Sequence, residues 1–415
     1  MYDWANSAFI TTVTAALYPP FFRSLATSAG LSKSEATAYW GYVSSAALLT
    51  VAVLAPLLGA TADHTGGRKK YMAAFAGLGI CVTASFMFIG GDAWRVAAAL
   101  FVLATIGFAG ANVFYDSFLP RVSARGHLDR VSSRGFALGY LGGGVLLVLN
   151  LLWVTYPGFF GLPNRDLAVR FSFLSVAVWW ALFSIPFFRN VPEPGVFGRP
   201  AHPRAAVIEG FGRLVRTFRE VRRYRQLFLF LVAFWIYTDG VGTIVRMATA
   251  YGDDVGIGID DMVAALVITQ FVGIPFTMLF AKLAERIGPK PSILITLGVY
   301  AGIAGSAYFM STAAHFYALA IAVATVQGGC QALSRSLFSR MVPDEMGSEF
   351  FGFYSASSKF AGVFGPLVFG AIAHATGESR LGILSVVLFF VVGGVLLGRV
   401  DVERGEALAS SDNRV

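Results

Sequence analysis

The sequence predicts an all-α membrane protein of twelve transmembrane helices in two pseudo-symmetric six-helix halves. Composition is the first reason: 56% of the 415 residues are hydrophobic, only 13% are charged, and the mean hydropathy is +0.66. These values lie far outside the range of soluble proteins. A repeated loop is the second reason, because GATADHTGGRKK at 59–70 returns in weaker form as AKLAERIGPK at 281–290. Asp63 and Glu285 hold the same place in the two copies, 222 residues apart, which indicates duplicated halves.

Twelve apolar segments of about 20 residues, enough to cross the hydrocarbon core of a bilayer, justify the helices one by one. They lie near residues 2–22, 38–61, 71–91, 94–118, 133–156, 168–188, 226–247, 262–284, 291–310, 315–338, 349–375 and 380–398. The predicted regions are therefore an N-terminal bundle at 1–190, a cytoplasmic linker at 191–225, a C-terminal bundle at 226–400 and a cytoplasmic tail at 401–415.

The distribution of cations predicts the orientation. With the N-terminus inside, 24 of the 32 Lys and Arg residues fall in inner segments and seven in outer segments, among them Arg23 and Arg246. This asymmetry is typical of twelve spans with both termini in the cytoplasm. The net charge of +8 thus reflects membrane topology, and no compact basic region indicates a nucleic-acid partner. The N-terminus has no basic region or cleavage site, so the first span is expected to be retained, although the chain could be truncated before Met1.

The linker predicts a surface helix. Apolar residues recur at helical spacing over 207–223, with arginines between them. This pattern is typical of a basic amphipathic helix on the inner membrane surface. A tether between the halves is the favoured interpretation, and a regulatory or partner-binding role is the alternative.

Two six-span halves, a central basic linker and the first loop together resemble the major facilitator superfamily. The loop resembles the family signature G-x-L-A-D-R-x-G-R-K through Gly59, Ala62, Asp63, Gly66, Arg68 and Lys69, but His64 replaces the usual Arg and Gly67 displaces the cation. The resemblance implies that the loop charges stabilise one state of a rocking cycle by pairing across helices. The expected gating pairs are Arg68 with Asp116 and, in the second half, Glu285 with Arg335; ordinary loop charge is the alternative.

A finer resemblance covers almost the whole chain. It rests on YDWANSAF at 2–9, FYDSFLP at 114–120, SSRGFALGYLGGG at 132–144, YTDGVGTI at 237–244, QALSRSLFSRMVP at 331–343 and EFFGFYSASSKFAGVFGP at 349–366. These motifs are similar to those of the branch related to the autophagy-linked fungal vacuolar amino-acid effluxers and their bacterial relatives. The resemblance implies transport of a solute, and an amino acid is the expected cargo.

Ionisable and amide side chains inside the C-terminal spans are candidate site residues, because buried polar groups in lipid are costly. Asp239 shares a helix face with Thr243 and Arg246 in span seven, Lys359 lies near mid-depth in span eleven, and Gln327, Gln331 and Arg335 form a stripe on span ten. An acid, a cation and amides in one region would suit an amino acid. Asp239 is predicted to bind the substrate or a coupling proton, against a structural ion pair with Lys359 or Arg246. For Lys359 both roles stay open.

The N-terminal half offers two polar faces. Asp3, Asn6 and Ser7 share one face of span one, and Asn112, Tyr115 and Asp116 share one face of span four. Asn6, Asn112 and Tyr115 are predicted substrate-binding residues. An N-cap role for Asp3 and helix–helix hydrogen bonding for Asn6 are the alternatives.

Catalytic and metal-binding patterns are missing from the sequence: the five histidines lack ligand spacing, and no hydrolase or ATP motif occurs. No enzyme activity, cofactor or metal is expected. The prediction is a secondary active transporter of a small polar solute, with proton coupling through Asp239 as a hypothesis. A transport-inactive receptor or scaffold and an exporter of drug-like solutes are the alternatives. The partners would be the solute, protons and the lipid bilayer, and a bacterial inner membrane is the expected location.

Overall fold

The computed structural model describes most of the chain. The described residues are 1–65, 68–116, 118, 128–192, 212, 216–343, 350, 353–354, 357 and 361–412. At 55–65, 116, 128–137, 281 and 410–412 the description covers the backbone only. Within this part of the chain the regular structure is entirely helical.

The first half contains six spans, and the first of them is composite. It runs through α1 (Tyr2–Ala8), a π-helix (Phe9–Leu17) and α2 (Tyr18–Ser28). The π-helix was not predicted, and it coincides with the β-branched run ITTVT at 10–14, which crowds a regular helix. The other spans are α3 (Lys33–Thr65), α4 (Arg68–Ser85), α5 (Trp94–Asp116), α6 (Leu128–Thr155) and α7 (Arg165–Asn190).

The second half repeats the arrangement. Its helices are α8 (Arg225–Asp254), α9 (Ile259–Ile287), α10 (Pro289–Ala307), α11 (Ala313–Arg340), α12 (Phe364–Thr376), α13 (Ser379–Gly398) and, in the predicted tail, α14 (Val402–Asp412). Helix α12 forms the last part of the eleventh predicted span. Of the predicted amphipathic helix at 207–223, the described residues are 212 and 216–223, and 212 and 216–221 are helical.

The predicted fold class is confirmed. Nine of the described helices are long and apolar enough to cross a membrane. The composite first span, α10 and α12 occupy the positions of the other three predicted spans. The helices extend further than the apolar segments, since span one reaches Ser28 rather than residue 22 and span two starts at Lys33 rather than residue 38.

Small residues allow close packing between spans one and five. A Cβ atom added at Gly139 would lie 2.6 Å from the Ser7 hydroxyl, and one at Gly142 would lie 2.5 Å from the Trp4 carbonyl oxygen. Larger side chains at these positions would therefore separate α1 from α6.

The two halves meet at one end of the bundle, which holds the 29–32 turn and the last residues of α8; we call it the distal end. Here α3 of the first half packs against α12 of the second. A Cβ atom at Gly41 would lie 2.5 Å from the Pro366 carbonyl oxygen, and one at Gly370 would lie 2.7 Å from the Ala38 carbonyl oxygen. Glycine at both positions lets the two backbones touch.

Candidate functional site

Asp239 lies at the centre of the best-defined polar site. It is 3% exposed on α8, and its two carboxylate oxygens accept separate backbone N–H groups, Oδ2 from Phe364 at 3.0 Å and Oδ1 from Gly365 at 2.7 Å. Both donors belong to the first turn of α12, whose amides have no partner within that helix. A carboxylate at a helix N-terminus is also favoured by the helix dipole. Asp239 therefore joins span seven to the start of α12.

The chain around this contact is shaped to admit the carboxylate. Gly362, just before α12, has a φ of +107°, which side chains other than glycine rarely adopt. A Cβ atom at Gly365 would lie 2.7 Å from Asp239 Oδ1 and would also clash with the Thr243 hydroxyl. The Thr243 hydroxyl itself donates to the Asp239 carbonyl oxygen at 2.7 Å. Glycine at these two positions thus permits the close approach of α12 to α8.

Arg246 lies two turns further along the same face of α8. Its carbonyl oxygen accepts the indole N–H of Trp40, from the other half, at 2.9 Å. Its side chain is half-buried and interacts electrostatically with Asp239, but forms no hydrogen bond or ion pair with any described residue. The alternative of a direct Asp239–Arg246 ion pair is thus not realised in this structure, and Lys359, the other candidate partner, lies outside the described residues.

The predicted stripe on span ten stays outside the packed core. Gln331 and Arg335 are exposed on α11 and Gln327 is half-buried, whereas Cys330 and Ser334 on the adjoining face are buried. The buried face meets span seven, where Tyr237 and Ser334 share a hydrogen bond of 2.7 Å between their hydroxyls. Neither glutamine side chain is bonded to a described residue, so both amides are available to a ligand.

The two polar faces of the first half meet each other. Asn6 Nδ2 donates to Asn112 Oδ1 at 2.6 Å, and the Tyr115 hydroxyl donates to Asp3 Oδ2 at 2.6 Å. These bonds connect spans one and four within the same half. The predicted residues are therefore brought together, and in this conformation they form hydrogen bonds with one another.

The predicted gating residues are described only in part. Arg68 is buried at the start of α4, while the side chains of Asp63 and Asp116 lie outside the description. Glu285 and Arg335 are both exposed, and no ion pair within 4.0 Å joins them among the described contacts. The pairs drawn from the sequence stay predictions.

Charges at the distal end form a contact that the sequence analysis missed. Arg23 was counted as an outer-segment cation, but it lies inside α2, is 2% exposed, and forms ion pairs with Asp253 and Asp254 of α8. Arg165 and Asp260 make a second, more exposed ion pair between the halves. An Arg after span one and two acids after span seven, all assigned to the same side, were the signal available in the sequence.

The described hydrogen bonds and ion pairs between the halves all fall in the distal part of the bundle. Besides the two ion-pair groups, the Ser34 hydroxyl donates to the Ala373 carbonyl oxygen at 2.8 Å, and the Thr249 hydroxyl to the Ala15 carbonyl oxygen at 2.8 Å. The Tyr42 hydroxyl oxygen and His374 Nδ1 lie 3.4 Å apart across the same boundary. The described residues thus form a molecule closed between its halves at the distal end. They include no cluster of His, Cys, Asp or Glu that could hold a metal ion.

Comparison with known sequences gives consistent matches along the chain. A family model described as "Vacuole effluxer Atg22 like" matches residues 1–128 and 124–410. The uncharacterised MFS-type transporter YxiO of Bacillus subtilis (strain 168) is 40% identical over 414 residues, covering 100% of this chain and 96% of that protein. Autophagy-related protein 22 of Coccidioides immitis (strain RS) is 24% identical over 444 residues, covering 88% of this chain and 72% of that protein.

Comparison with solved structures gives the same architecture. A D-xylose–proton symporter superimposes with a TM-score of 0.70 at 15% identity, covering 96% of this chain and 95% of that one. A bacterial homolog of the human lysosomal transporter Spinster, inward-facing and unoccupied, superimposes with a TM-score of 0.68 at 14% identity, covering 98% and 96%. At such low identity these likenesses show the shared fold.

Proposed function

This chain belongs to the Atg22-like effluxer family of major facilitator transporters, and on that premise we propose that it carries amino acids by proton-coupled alternating access. It is an integral multi-pass membrane protein and a transporter, not an enzyme. We propose three things beyond this: amino acids as the cargo, the proton as the coupling ion, and a bacterial inner membrane with cytoplasmic termini as the location. The observation that carries the proposal is the Asp239 site. A buried carboxylate and an unpaired guanidinium lie on one face of span seven, and the carboxylate binds the helix break at the start of α12.

Alternating access requires two halves that separate at one end while they close at the other. The distal contacts, from Arg23–Asp254 to Ser34–Ala373, supply a closed end. Because these contacts and the packing of α3 against α12 lie between the halves and not within either bundle, they can break without unfolding either half. The conformation described here would be one state of the cycle.

The amino-acid cargo is supported by the complementary charges that the site offers. Asp239 and Arg246 place an anion and a cation about 10 Å apart along α8, and Gln327 and Gln331 add amide groups on α11. Arg246 can pair with the carboxylate of a zwitterion, and the lone pairs that Asp239 keeps beside its two backbone bonds can accept from the ammonium group. The family resemblance implies the same class of solute.

Proton coupling is supported by the hydrogen bonds that the Asp239 carboxylate accepts from α12. The ionised carboxylate accepts two backbone N–H groups of α12, whereas the protonated acid has one oxygen occupied as a donor. Protonation would therefore weaken the attachment of α12 to α8, and the charged form would restore it. Helix α12 also packs against α3 of the other half. A change in the attachment of α12 to α8 would therefore alter the contact between the halves at the distal end.

Reconstituted transport tests the proposed function. The full-length protein is placed in proteoliposomes preloaded with unlabelled amino acids, and counterflow of each radiolabelled amino acid is measured with and without a pH gradient. We expect accumulation of at least one amino acid, with an initial rate that the gradient changes. Counterflow of sugars or nucleosides but of no amino acid would reject the cargo and leave the transporter assignment standing.

A further inference from the structure

Among the described arginines whose side chains are not exposed, Arg246 is distinguished by the lack of a hydrogen-bond or ion-pair partner. At the distal end, Arg23 pairs with two aspartates, Arg170 pairs with Asp166 at 2.7 Å, and Arg380 donates to two backbone carbonyls at 3.2 and 3.3 Å. Among the described contacts, the Arg246 guanidinium has neither a carboxylate nor a carbonyl acceptor. An uncompensated charge inside a membrane protein is costly and is commonly part of a ligand site.

Arg246 lies at the boundary of the two halves, in the distal part of the bundle. It lies eight residues before the end of α8, about 12 Å along the helix. The Arg246 carbonyl oxygen accepts the indole N–H of Trp40, a fully buried residue of the first half. Three residues later, the Thr249 hydroxyl donates to the Ala15 carbonyl oxygen across the same boundary. The neighbouring Met247 and Thr249 side chains are buried, whereas that of Arg246 keeps partial exposure. A small ligand bound to this guanidinium would therefore lie close to the boundary between the halves.

The nearest acid does not neutralise this cation. Asp239 lies outside ion-pair distance, and both of its oxygens are held by the first turn of α12. The positive end of that helix offsets much of the aspartate charge. No other charged group of the described elements around α8 interacts with the Arg246 side chain. The positive charge at Arg246 thus remains for a ligand to balance.

We propose that Arg246 is the anion-binding residue of the transport site and takes the carboxylate group of the solute. A guanidinium binds a carboxylate through two parallel N–H···O bonds, which fixes the orientation of the ligand as well as its charge. The inference rests on the proposed transport function, and it narrows the substrate class to organic acids, amino acids included. Because the binding residue also holds Trp40 through its carbonyl, an anion on Arg246 would bind where the halves close.

The test compares ligand-induced thermal stabilisation of the purified full-length protein with that of Arg246→Gln and Arg246→Lys. The probes are the standard amino acids, their carboxamides, acetate, lactate and succinate, and chloride and inorganic phosphate. We expect at least one carboxylate to raise the midpoint of unfolding by mass action while its carboxamide does not. Arg246→Gln should weaken binding about 10- to 100-fold, and Arg246→Lys should weaken it less.

The unfolding midpoint without ligand distinguishes a structural role of Arg246 from a ligand-binding role. If Arg246 only supported the fold, Arg246→Gln would lower the ligand-free unfolding midpoint. If it is an unpaired site residue, removal of its charge should leave that midpoint unchanged or raise it. Arg95→Gln, which removes an exposed cation at the start of α5, is the matched control and should leave ligand binding intact.

The outcomes separate this inference from the proposed function. Carboxylate binding that survives in Arg246→Gln, stabilisation by chloride or phosphate alone, or no stabilisation by any probe would each overturn the role of Arg246. Arg246-dependent binding of lactate or succinate without any amino acid would support it and reject the amino-acid cargo. A pH-independent counterflow of amino acids would reject proton coupling and leave the Arg246 site intact.

Discussion

Arg23 of the first half and Asp254 of the second form an ion pair, with 2.8 Å between Nη2 and Oδ1. The Arg23 side chain is 2% exposed and that of Asp254 is 12% exposed, and Asp253 pairs with the same guanidinium. The contact joins α2 to the last turn of α8. It is therefore the most deeply buried charged link described between the two halves.

Removal of Arg23 should weaken distal closure. In Arg23→Gln, Asp253 and Asp254 lose their shared partner, and breaking a buried pair in this way costs about 3 kcal/mol, the lower end of the usual range because Asp253 is partly exposed. We expect a lower midpoint of thermal unfolding, measured in detergent. Adding Asp254→Asn to Arg23→Gln should recover part of the loss, since fewer unpaired charges remain. An unchanged midpoint in Arg23→Gln would contradict a stabilising role for the pair.

Distal closure should also depend on Gly41, where the backbones of α3 and α12 touch. A leucine there cannot fit, because its Cβ alone would lie 2.5 Å from the Pro366 carbonyl oxygen. Gly41→Leu should hold the distal end apart and abolish counterflow while each half stays folded. The measurement is the distance between spin labels at Lys33→Cys and Thr376→Cys, after replacement of Cys81 and Cys330.

The matched control for this change is Gly302→Leu on α10. An added Cβ at Gly302 meets nothing within 4 Å, and the residue is exposed. Label distances and counterflow in Gly302→Leu should match those of the parent protein. Equal label distances in Gly41→Leu and the parent protein would show that the glycine contact does not govern closure.

The sequence was sufficient for the fold because the fold depends on hydrophobic length and duplication. Twelve apolar segments and a repeated loop are properties of the chain itself, and the predicted spans differ from the helices mainly at their ends. The π-helix at Phe9–Leu17 was missed because it is a local change of hydrogen-bond register inside a continuous apolar segment. Hydropathy does not distinguish the two registers.

The site was predictable as a set of residues but not as a set of bonds. Asp239 was identified by its depth, yet its partners are backbone amides at a helix break 125 and 126 residues away, which leave no side-chain signal. The sequence predicts both Arg23 and Arg246 as outer cations, because distance from a predicted span end does not reveal burial. Their different environments, one paired and one unpaired, arise only from tertiary packing.

Asn6 and Asn112 offer a test of structural against substrate-binding roles. Asn6→Ala removes the donor to Asn112 Oδ1, and leaving that half-buried amide oxygen without a partner costs about 1 kcal/mol, the lower end of the usual range. We expect a lower unfolding midpoint and an almost unchanged KM for the transported solute. Asn190→Ala, at the exposed end of α7, should change neither quantity. A large rise in KM at unchanged stability would instead favour direct contact with the solute, as the sequence analysis predicts.

Asp239→Asn should separate transport from its coupling to protons. The asparagine keeps one carbonyl oxygen for the Phe364 or Gly365 amide but carries no charge and does not titrate. The ionised aspartate makes both bonds, so the attachment of α12 should be strong at high pH and weaken as the pH falls through the titration of Asp239. A pH gradient should therefore change the initial rate of amino-acid counterflow in the parent protein and have no effect in Asp239→Asn. Asp92→Asn, which removes an exposed acid in the turn before α5, should keep the response to the gradient. If Asp239→Asn responds as the parent protein does, Asp239 is a structural cap of α12 and the coupling group lies elsewhere.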